Sequence, residues 1–448
     1  PGEKFVSVPA AIGTVSGGFE KAICELTKYR RVIRRPNKDN ETLPVICNDG
    51  LGADPTAELE IPVINAAAEA GCEYYCIDAG WHNEGTVANR YLWWYTCGEW
   101  IQCMQRFPEG IKKTLDYIRS KGMIPGLWLE VEVMGIQCPL AKTVPDKWFF
   151  QRHGKRVIDH GRYQLDFRCP DVIKFANEVI DRVVNDYGAG YIKMDYNINA
   201  GPGTENDADS FGDGLLEHNR AYISWIDDVF KRYPDLIIEH CSSGGMRTDY
   251  ALWSRQSVGS ITDQTDYRKS AIIASSCLTA ITPEQCGIFS HPGKGADREE
   301  IVFNNINGML MRLFISGSIT NISQEDFPLM VEGIRYYKTI RHDIPKGLPF
   351  WPLGLPSFSN GWTSLGLDCG GKSYLAVWRL DSDNEMCRLP LSSIKGCRIS
   401  VKCTYPSYVG CEYEWNEAAG VLEVALPQKY CARFFEITGN LQSYRERS

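Results

Sequence analysis

Six short apolar runs, separated by amphipathic stretches long enough for helices, constrain this chain more than any other feature. The runs fall at 43–47, 74–78, 124–130, 191–195, 236–241 and 257–263, and the helical patterns lie at 57–70, 111–121, 172–187 and 215–233. In the third pattern Val172, Phe175, Ala176, Val179, Ile180, Val183 and Val184 form one stripe at the 3.6-residue period. Such alternation predicts parallel βα units, because parallel neighbours need a crossover long enough to hold a helix. Six units before residue 265, with further apolar segments after it, predict an α/β fold, a (β/α)8 TIM barrel over residues 44–349, in preference to an open doubly wound sheet. From 350 to 448, Gly, Pro and Ser punctuate alternating strands at 373–378, 398–403 and 420–426, which predicts a small C-terminal antiparallel β-sandwich domain covering the barrel's flank. Residues 1–43 are expected to be an N-terminal extension or linker. The chain opens at Pro1 without a methionine and reads as cut from something longer.

The runs end in polar or aromatic residues: Asn48-Asp49, Asp78-Ala79-Gly80-Trp81, Glu130-Val131-Glu132, Asp195, Glu239-His240-Cys241 and Asp263. In a barrel the C-terminal strand ends converge on one pocket. Within 191–197, alternation along a strand would put Lys193, Asp195 and Asn197 on one face. The segment 259–266 repeats the design, a short apolar approach closing in Asp263 and Asp266. Two strand-end carboxylates are the minimum equipment for breaking a glycosidic bond.

Composition narrows the partner. With a formal net charge of −8 and a pI near 5.6, the chain is poorly suited to nucleic acid, and a neutral or small substrate is expected. The short basic cluster Arg30, Arg31, Arg34 and Arg35 reads as a solvated face. Seventeen cysteines, an odd number at irregular spacing and with no CxxC pair, read as reduced thiols of a cytoplasmic protein and not as a zinc site. No run approaches 18 apolar residues, so no membrane span is expected.

Several motifs fail. Between Gly287 and Lys294 the spacing misses a phosphate loop by one residue, and Gly201-Pro202-Gly203 lacks the third glycine of a dinucleotide fingerprint. No HExxH pair occurs, and a Ser/His/Asp triad could be assembled only by free choice among many residues. Neither a metal nor a cofactor is expected.

The ordered set Ile77-Asp78-Ala79-Gly80-Trp81, Gly98-Glu99-Trp100, Arg106-Phe107-Pro108-Glu109-Gly110, Gly126-Leu127-Trp128-Leu129-Glu130-Val131-Glu132, Arg162-Tyr163-Gln164-Leu165-Asp166, Ile192-Lys193-Met194-Asp195, Cys241-Ser242-Ser243-Gly244-Gly245 and Thr262-Asp263-Gln264-Thr265-Asp266 resembles the α-galactosidases of glycoside hydrolase family 36. Tyr374-Leu375-Ala376-Val377-Trp378 and Ala432-Arg433-Phe434-Phe435-Glu436 look like that family's terminal β domain. The resemblance implies a retaining, exo-acting α-galactosidase with Asp195 as nucleophile and Asp263 as acid/base. It implies sugar contacts from Asp78 (hydroxyls at carbons 4 and 6), Trp81 and Trp100 (apolar platforms), Arg162 and Lys193 (ring hydroxyls), and Cys241 and Gly244 (hydroxyl at carbon 2), with Asp266 beside the acid. An ionised Asp195 next to Lys193, and a protonated Asp263 in a site that is drier or near another carboxylate such as Asp266, are what the two roles need.

Structural alternatives stand beside these roles. Asp266 could cap the following helix, Trp128 could be barrel packing, and Arg162 could tie a loop to Asp166. Where many members carry a second aspartate this chain has Ala79, and Met246 and Thr248 replace the usual glycine and phenylalanine after the cysteine loop. An α-N-acetylgalactosaminidase, a galactosyl-transferring relative and an inactive carbohydrate-binding paralogue therefore remain open. The family's large N-terminal β-sandwich has no counterpart in the forty residues before the first strand, which leaves a fragment, a domain needing a partner chain or a homo-oligomer, and a minimal variant all open.

Overall fold

The structure is a computed structural model that describes residues 4–50, 54–82 and 92–439. Eight parallel strands close into a barrel: β1 (Ile46–Asn48), β2 (Tyr74–Ile77), β3 (Ile124–Leu129), β4 (Tyr191–Met194), β5 (Ile237–His240), β6 (Val258–Ser260), β7 (Cys286–Ser290) and β8 (Arg312–Ser316). Each strand pairs with its sequence neighbours, and β1 closes the ring by pairing β2 through Ile46↔Tyr74 and β8 through Ile46↔Phe314. Every residue of these strands except Ile124 is buried, which explains why they read as continuous apolar runs. Helices Ala57–Ala70, Ile111–Ser120, Pro170–Asp181 and Phe211–Arg232 follow β1 to β4. The third ends its α-helical run at Asp181, inside the 172–187 pattern, and 182–186 continue as a wider π turn.

The barrel interior is packed, not hollow. Ile46, Tyr74, Cys76, Tyr191, Ile237, Val258, Phe289 and Phe314 form one buried cluster. Gly126 makes room for it: a Cβ there would come within 2.6 Å of the Tyr191 ring. Below this layer Arg312 of β8 pairs with Asp39 at 2.7 Å, both side chains essentially inaccessible. Asp39 belongs to the one-turn helix Asp39–Thr42, so the segment before β1 plugs the barrel's N-terminal end.

Ahead of that plug lies the helix Phe19–Ile33. The arginines at its end and just beyond it are not the solvated face expected from the sequence. Arg31 meets Glu284 at 2.9 Å, Arg34 pairs with the same fully buried carboxylate, and the Arg30 and Arg35 guanidinium groups sit 5.5 and 4.0 Å over the rings of Tyr250 and Phe230. A buried carboxylate without a cation would cost several kcal/mol, on the order of 3–5. The cluster serves an internal charge, which only the folded chain reveals.

The C-terminal region contains a five-stranded antiparallel sheet, of which Lys372–Arg379 and Cys431–Gly439 are central strands, and a three-stranded sheet of Met386–Pro390, Val421–Ala425 and Glu412–Asn416. Period-two alternation assigns the two faces of Lys372–Arg379. Leu375 and Val377 pack towards Leu389, Leu422 and Val424 of the smaller sheet, while Tyr374, Ala376 and Trp378 join the barrel's outer core. Trp351 donates its indole N–H to Ser275 O, and the Tyr405 hydroxyl accepts from Asn305 at 2.9 Å. Among the described residues no helix is long and apolar enough to cross a membrane.

Candidate active site

The polar strand ends meet at the C-terminal mouth of the barrel. Asp195 follows directly on β4, is 8% exposed, and is held from three sides. Trp128 donates its indole N–H to Oδ2 at 3.0 Å, and the backbone N–H groups of Tyr196 and Ser243 donate to Oδ1 at 2.8 and 3.3 Å. Burial alone would push this carboxyl up, but Lys193, the Asn197 side chain, the Cys241 thiol and the Tyr196 N–H outweigh it and hold Asp195 below its ordinary value. Lys193 is itself buried and bonded to Asp78 Oδ2 at 2.7 Å. Asp78 also accepts from Asn48 Nδ2 at 2.7 Å and from its neighbour's N–H at 2.8 Å. Three strands, β1, β2 and β4, thus contribute to one charged cluster.

Asp263 lies beyond the end of β6 and is open to solvent at the mouth. Its carboxyl is nonetheless pushed up, first by the protein packed around it, then by the charges of Asp195 and Asp78, with Lys193 opposing. The carboxylates that act on it are therefore Asp195 and Asp78. Asp266 is engaged elsewhere: it caps the helix Tyr267–Ser276, accepts from the Arg268 N–H at 3.0 Å and pairs with the Arg268 guanidinium at 2.9 Å. Asp195 and Asp263 sit in one electrostatic cluster with their proton affinities driven apart, which is the arrangement that separates a nucleophile from an acid.

The glycine loop after β5 joins the two. Cys241 is buried beside Asp195 and Lys193, and its thiol is pushed well up, by burial first and then by Asp195. Gly244 has φ +73°, and a Cβ there would come within 2.7 Å of Thr262 Cα and 3.0 Å of Asp263 N. Only a residue without a side chain lets this loop pass so close to the backbone that carries Asp263. Ser243, also left-handed at φ 43°, donates its N–H and hydroxyl to Asn197 Oδ1 at 3.1 and 2.6 Å.

The tryptophans are packed inside, with Trp81, Trp100 and Trp128 each no more than 1% exposed. Trp81 is buried and donates its indole N–H to Trp128 O at 2.9 Å, and the Trp100 ring lies 5.9 Å from that of Trp128. Trp128 is the residue whose role the sequence left undecided; its spacing within a strand fits packing, and the bond to Asp195 exists only across two strands. Arg162 is also fully buried. It donates to Glu130 Oε2 at 2.5 Å and to Asn197 O at 2.9 Å, with its guanidinium 3.9 Å over the Trp94 ring. Glu130 in turn accepts the Asn197 N–H at 2.5 Å, so this ion pair holds both the N–H and the carbonyl of Asn197, two residues past Asp195. Asp166, the other partner considered for Arg162, pairs with Arg168 at 2.6 Å.

Met246 is 63% exposed, and Thr248 donates its hydroxyl to Gly245 O at 2.7 Å. Between them Arg247 turns inward to Glu132 at 2.7 Å, an ion pair that with His218 holds Glu132 down to about 2 against the upward push of burial. Among the described residues no group of three or more His, Cys, Asp or Glu side chains could hold a metal ion. All seventeen cysteines are free.

A model of the melibiase family matches residues 8–345. Over 331 residues the chain is 25% identical to the α-galactosidase Mel36A of Lactobacillus acidophilus, covering 70% of this chain and 43% of that protein. Over 362 residues it is 24% identical to the α-galactosidase AgaA of Geobacillus stearothermophilus, covering 78% and 48%. The chain therefore spans about half the length of the curated relatives it matches. A solved structure of an AgaA variant in complex with raffinose superposes with a TM-score of 0.79 at 17% identity, covering 94% of this chain and 59% of that one. The galactosidase domain of the α-galactosidase–sucrose kinase AgaSK gives 0.80 at 18% identity, covering 94% and 58%. With the fold shared and a family model spanning most of its length, the chain belongs to the melibiase family of glycoside hydrolases.

Proposed function

We propose that this chain is a retaining, exo-acting α-galactosidase that removes terminal α-linked galactose from oligosaccharides. The observation that carries the reading is the pair Asp195 and Asp263, lowered and raised respectively within one cluster at the barrel mouth. Asp195 attacks the anomeric carbon while Asp263 gives its proton to the departing glycosidic oxygen, leaving a covalent galactosyl-enzyme. Water then enters, Asp263 takes its proton, and Asp195 departs as the product forms with its original configuration. A separation of about 5 to 5.5 Å suits this double displacement, since no water has to fit between carboxylate and sugar. The raffinose named with the AgaA structure is an oligosaccharide of the class proposed.

Asp78 is assigned to the hydroxyls at carbons 4 and 6, Lys193 to ring hydroxyls, Trp81 and Trp100 to the sugar's apolar surface, and Cys241 and Gly244 to the neighbourhood of carbon 2. Arg162 acts on the sugar through Asn197 and Glu130 in this reading, and Asp266 through the helix it caps. Seventeen unbridged thiols support a reducing, cytoplasmic setting.

Two measurements test the proposal. Nitrophenyl α-galactoside should be cleaved and the α-N-acetylgalactosaminide should not; the reverse preference would make the chain an α-N-acetylgalactosaminidase. Proton NMR of early product should show the α-anomer first, and Asp195→Ala should abolish turnover. An initial β-anomer, or an active Asp195→Ala variant, would rule out the double displacement.

A further inference from the structure

The loop 241–248 reaches both proposed carboxyls. Ser243 donates its N–H to Asp195 Oδ1 at 3.3 Å, Gly244 packs against the backbone of Thr262 and Asp263, and a Cβ on Gly245 would come within 2.7 Å of Ile261 O. Bonds inside the loop give it its shape: the Ser242 N–H donates to Gly244 O and the Met246 N–H to Ser242 O, both at 3.0 Å. They do not fix where the loop stands over the barrel. From Gly245 to Asp249 every residue is exposed except Arg247.

Arg247 ties this loop to three strands. Its guanidinium makes a forked pair of bonds to Glu132, from Nη2 to Oε1 at 2.7 Å and from Nη1 to Oε2 at 3.2 Å. Glu132 lies three residues beyond β3, is 1% exposed, and is also faced by His218 Nε2 at 3.4 Å, so the post is itself held. The flat side of the same guanidinium sits 4.2 Å over the ring of Tyr196, the residue after Asp195. At the other end of the residue, the carbonyl of Arg247 faces Nε2 of His240, the last residue of β5, at 2.7 Å. Tyr196 passes the constraint on. Its N–H donates to Asp195 Oδ1 at 2.8 Å, its carbonyl accepts the Ser242 hydroxyl at 2.8 Å, and its own hydroxyl donates to Gln164 Oε1 at 2.8 Å.

Resting on the function proposed above, we infer that Arg247 is a positioning residue for the reaction: it locks Tyr196 and the loop 241–248 into one unit and so sets where Asp195 and Asp263 stand relative to each other. The residue type fits the task. A lysine would neutralise Glu132, but it has neither two parallel donors for the carboxylate nor a flat face for the Tyr196 ring. Reacting groups displaced by about 1 Å can lose on the order of a hundredfold in rate, so a residue that touches no substrate can still govern turnover.

The test compares Arg247→Ala and Arg247→Lys with the wild type on nitrophenyl α-galactoside, with kcat expressed per folded molecule counted by circular dichroism. Arg247→Ala should lose about a hundredfold in kcat and Arg247→Lys about tenfold, and methylguanidinium at tens of millimolar should return at least about tenfold to the alanine variant without raising the wild type. A kcat within about twofold of the wild type in Arg247→Lys, or a thermal midpoint restored to Arg247→Ala by methylguanidinium with no gain in kcat, would make Arg247 a structural ion-pair partner only and overturn the inference. Should Arg247→Ala fail to fold, Arg247→Lys carries the test alone. If the wild-type chain cleaves no galactoside, the proposed activity fails on its own. The anchoring is then read by hydrogen exchange and mass spectrometry of peptides covering 195–197 and 241–248, where Arg247→Lys should exchange at least about tenfold faster than the wild type. Unchanged exchange in both peptides would remove the anchor.

Discussion

Trp128 donates its indole N–H to Asp195 Oδ2 at 3.0 Å, linking the penultimate residue of one barrel strand to the carboxylate at the end of the next. A hydrogen bond to a charged group contributes about 1.5–3 kcal/mol. Trp128→Phe keeps most of the ring and loses the donor. Its kcat on nitrophenyl α-galactoside should fall by about ten- to a hundredfold, with the thermal midpoint little changed. An unchanged kcat would make Trp128 a packing residue only.

Gly244 packs against the backbone that carries Asp263, the proposed acid. Because a Cβ there would strike the backbone of Thr262 and Asp263, Gly244→Ala should displace the Asp263 carboxyl while leaving Asp195 in place. Substrates whose leaving group needs a proton should suffer most. Raffinose turnover is expected to drop by about a hundredfold and α-galactosyl fluoride by less than tenfold, in line with the usual contribution of general acid catalysis. Equal losses on both would point to general unfolding of the loop.

Lys193 lowers both carboxyls, Asp195 and Asp263. Its removal in Lys193→Met should therefore move both limbs of the pH profile of kcat/KM towards higher pH. The same change leaves Asp78 buried without its cation, which should cost about 3–5 kcal/mol of stability by urea titration at pH 7. A profile in which one limb moves and the other stays would show that Lys193 acts on only one of them.

Glu60 gives a stability prediction independent of catalysis. It is buried, accepts the Tyr75 hydroxyl at 2.6 Å and is raised from its ordinary 4.5 to about 7, by burial first. The folded chain thus retains a proton that the unfolded chain has lost between those values. This contribution is complete below pH 4.5 and is lost as pH rises through 7, by up to about 3 kcal/mol from a shift of this size. Glu60→Gln cannot ionise, so its urea midpoint should fall less than that of the wild type between pH 5 and 8. Parallel midpoints in the two proteins would show that Glu60 is already charged at pH 5.

Parts of this architecture follow from local pattern. Residues 57–70 have the composition of a helix and form Ala57–Ala70, and the run at 191–195 becomes Tyr191–Met194. β7 and β8 were less legible. Cys286–Ser290 overlaps the segment Gly287 to Lys294, whose spacing misses a phosphate loop by one residue, and Arg312–Ser316 opens on a charge whose partner, Asp39, is 273 residues away. A buried ion pair looks from the sequence like two surface charges.

What the sequence determined by itself is the barrel, its C-terminal β region and the set of strand ends that carry chemistry, because hydrophobic period and strand-end polarity are properties of neighbours along the chain. The tertiary structure decided what each of those groups experiences. It bonds Trp128 to Asp195, turns Arg162 towards Glu130, sets Asp266 to capping a helix, and buries Glu284 among arginines that read as surface. Proton affinity and hydrogen-bond direction depend on burial and on charges a few ångströms away, and those distances are fixed only when strands far apart in sequence are brought side by side.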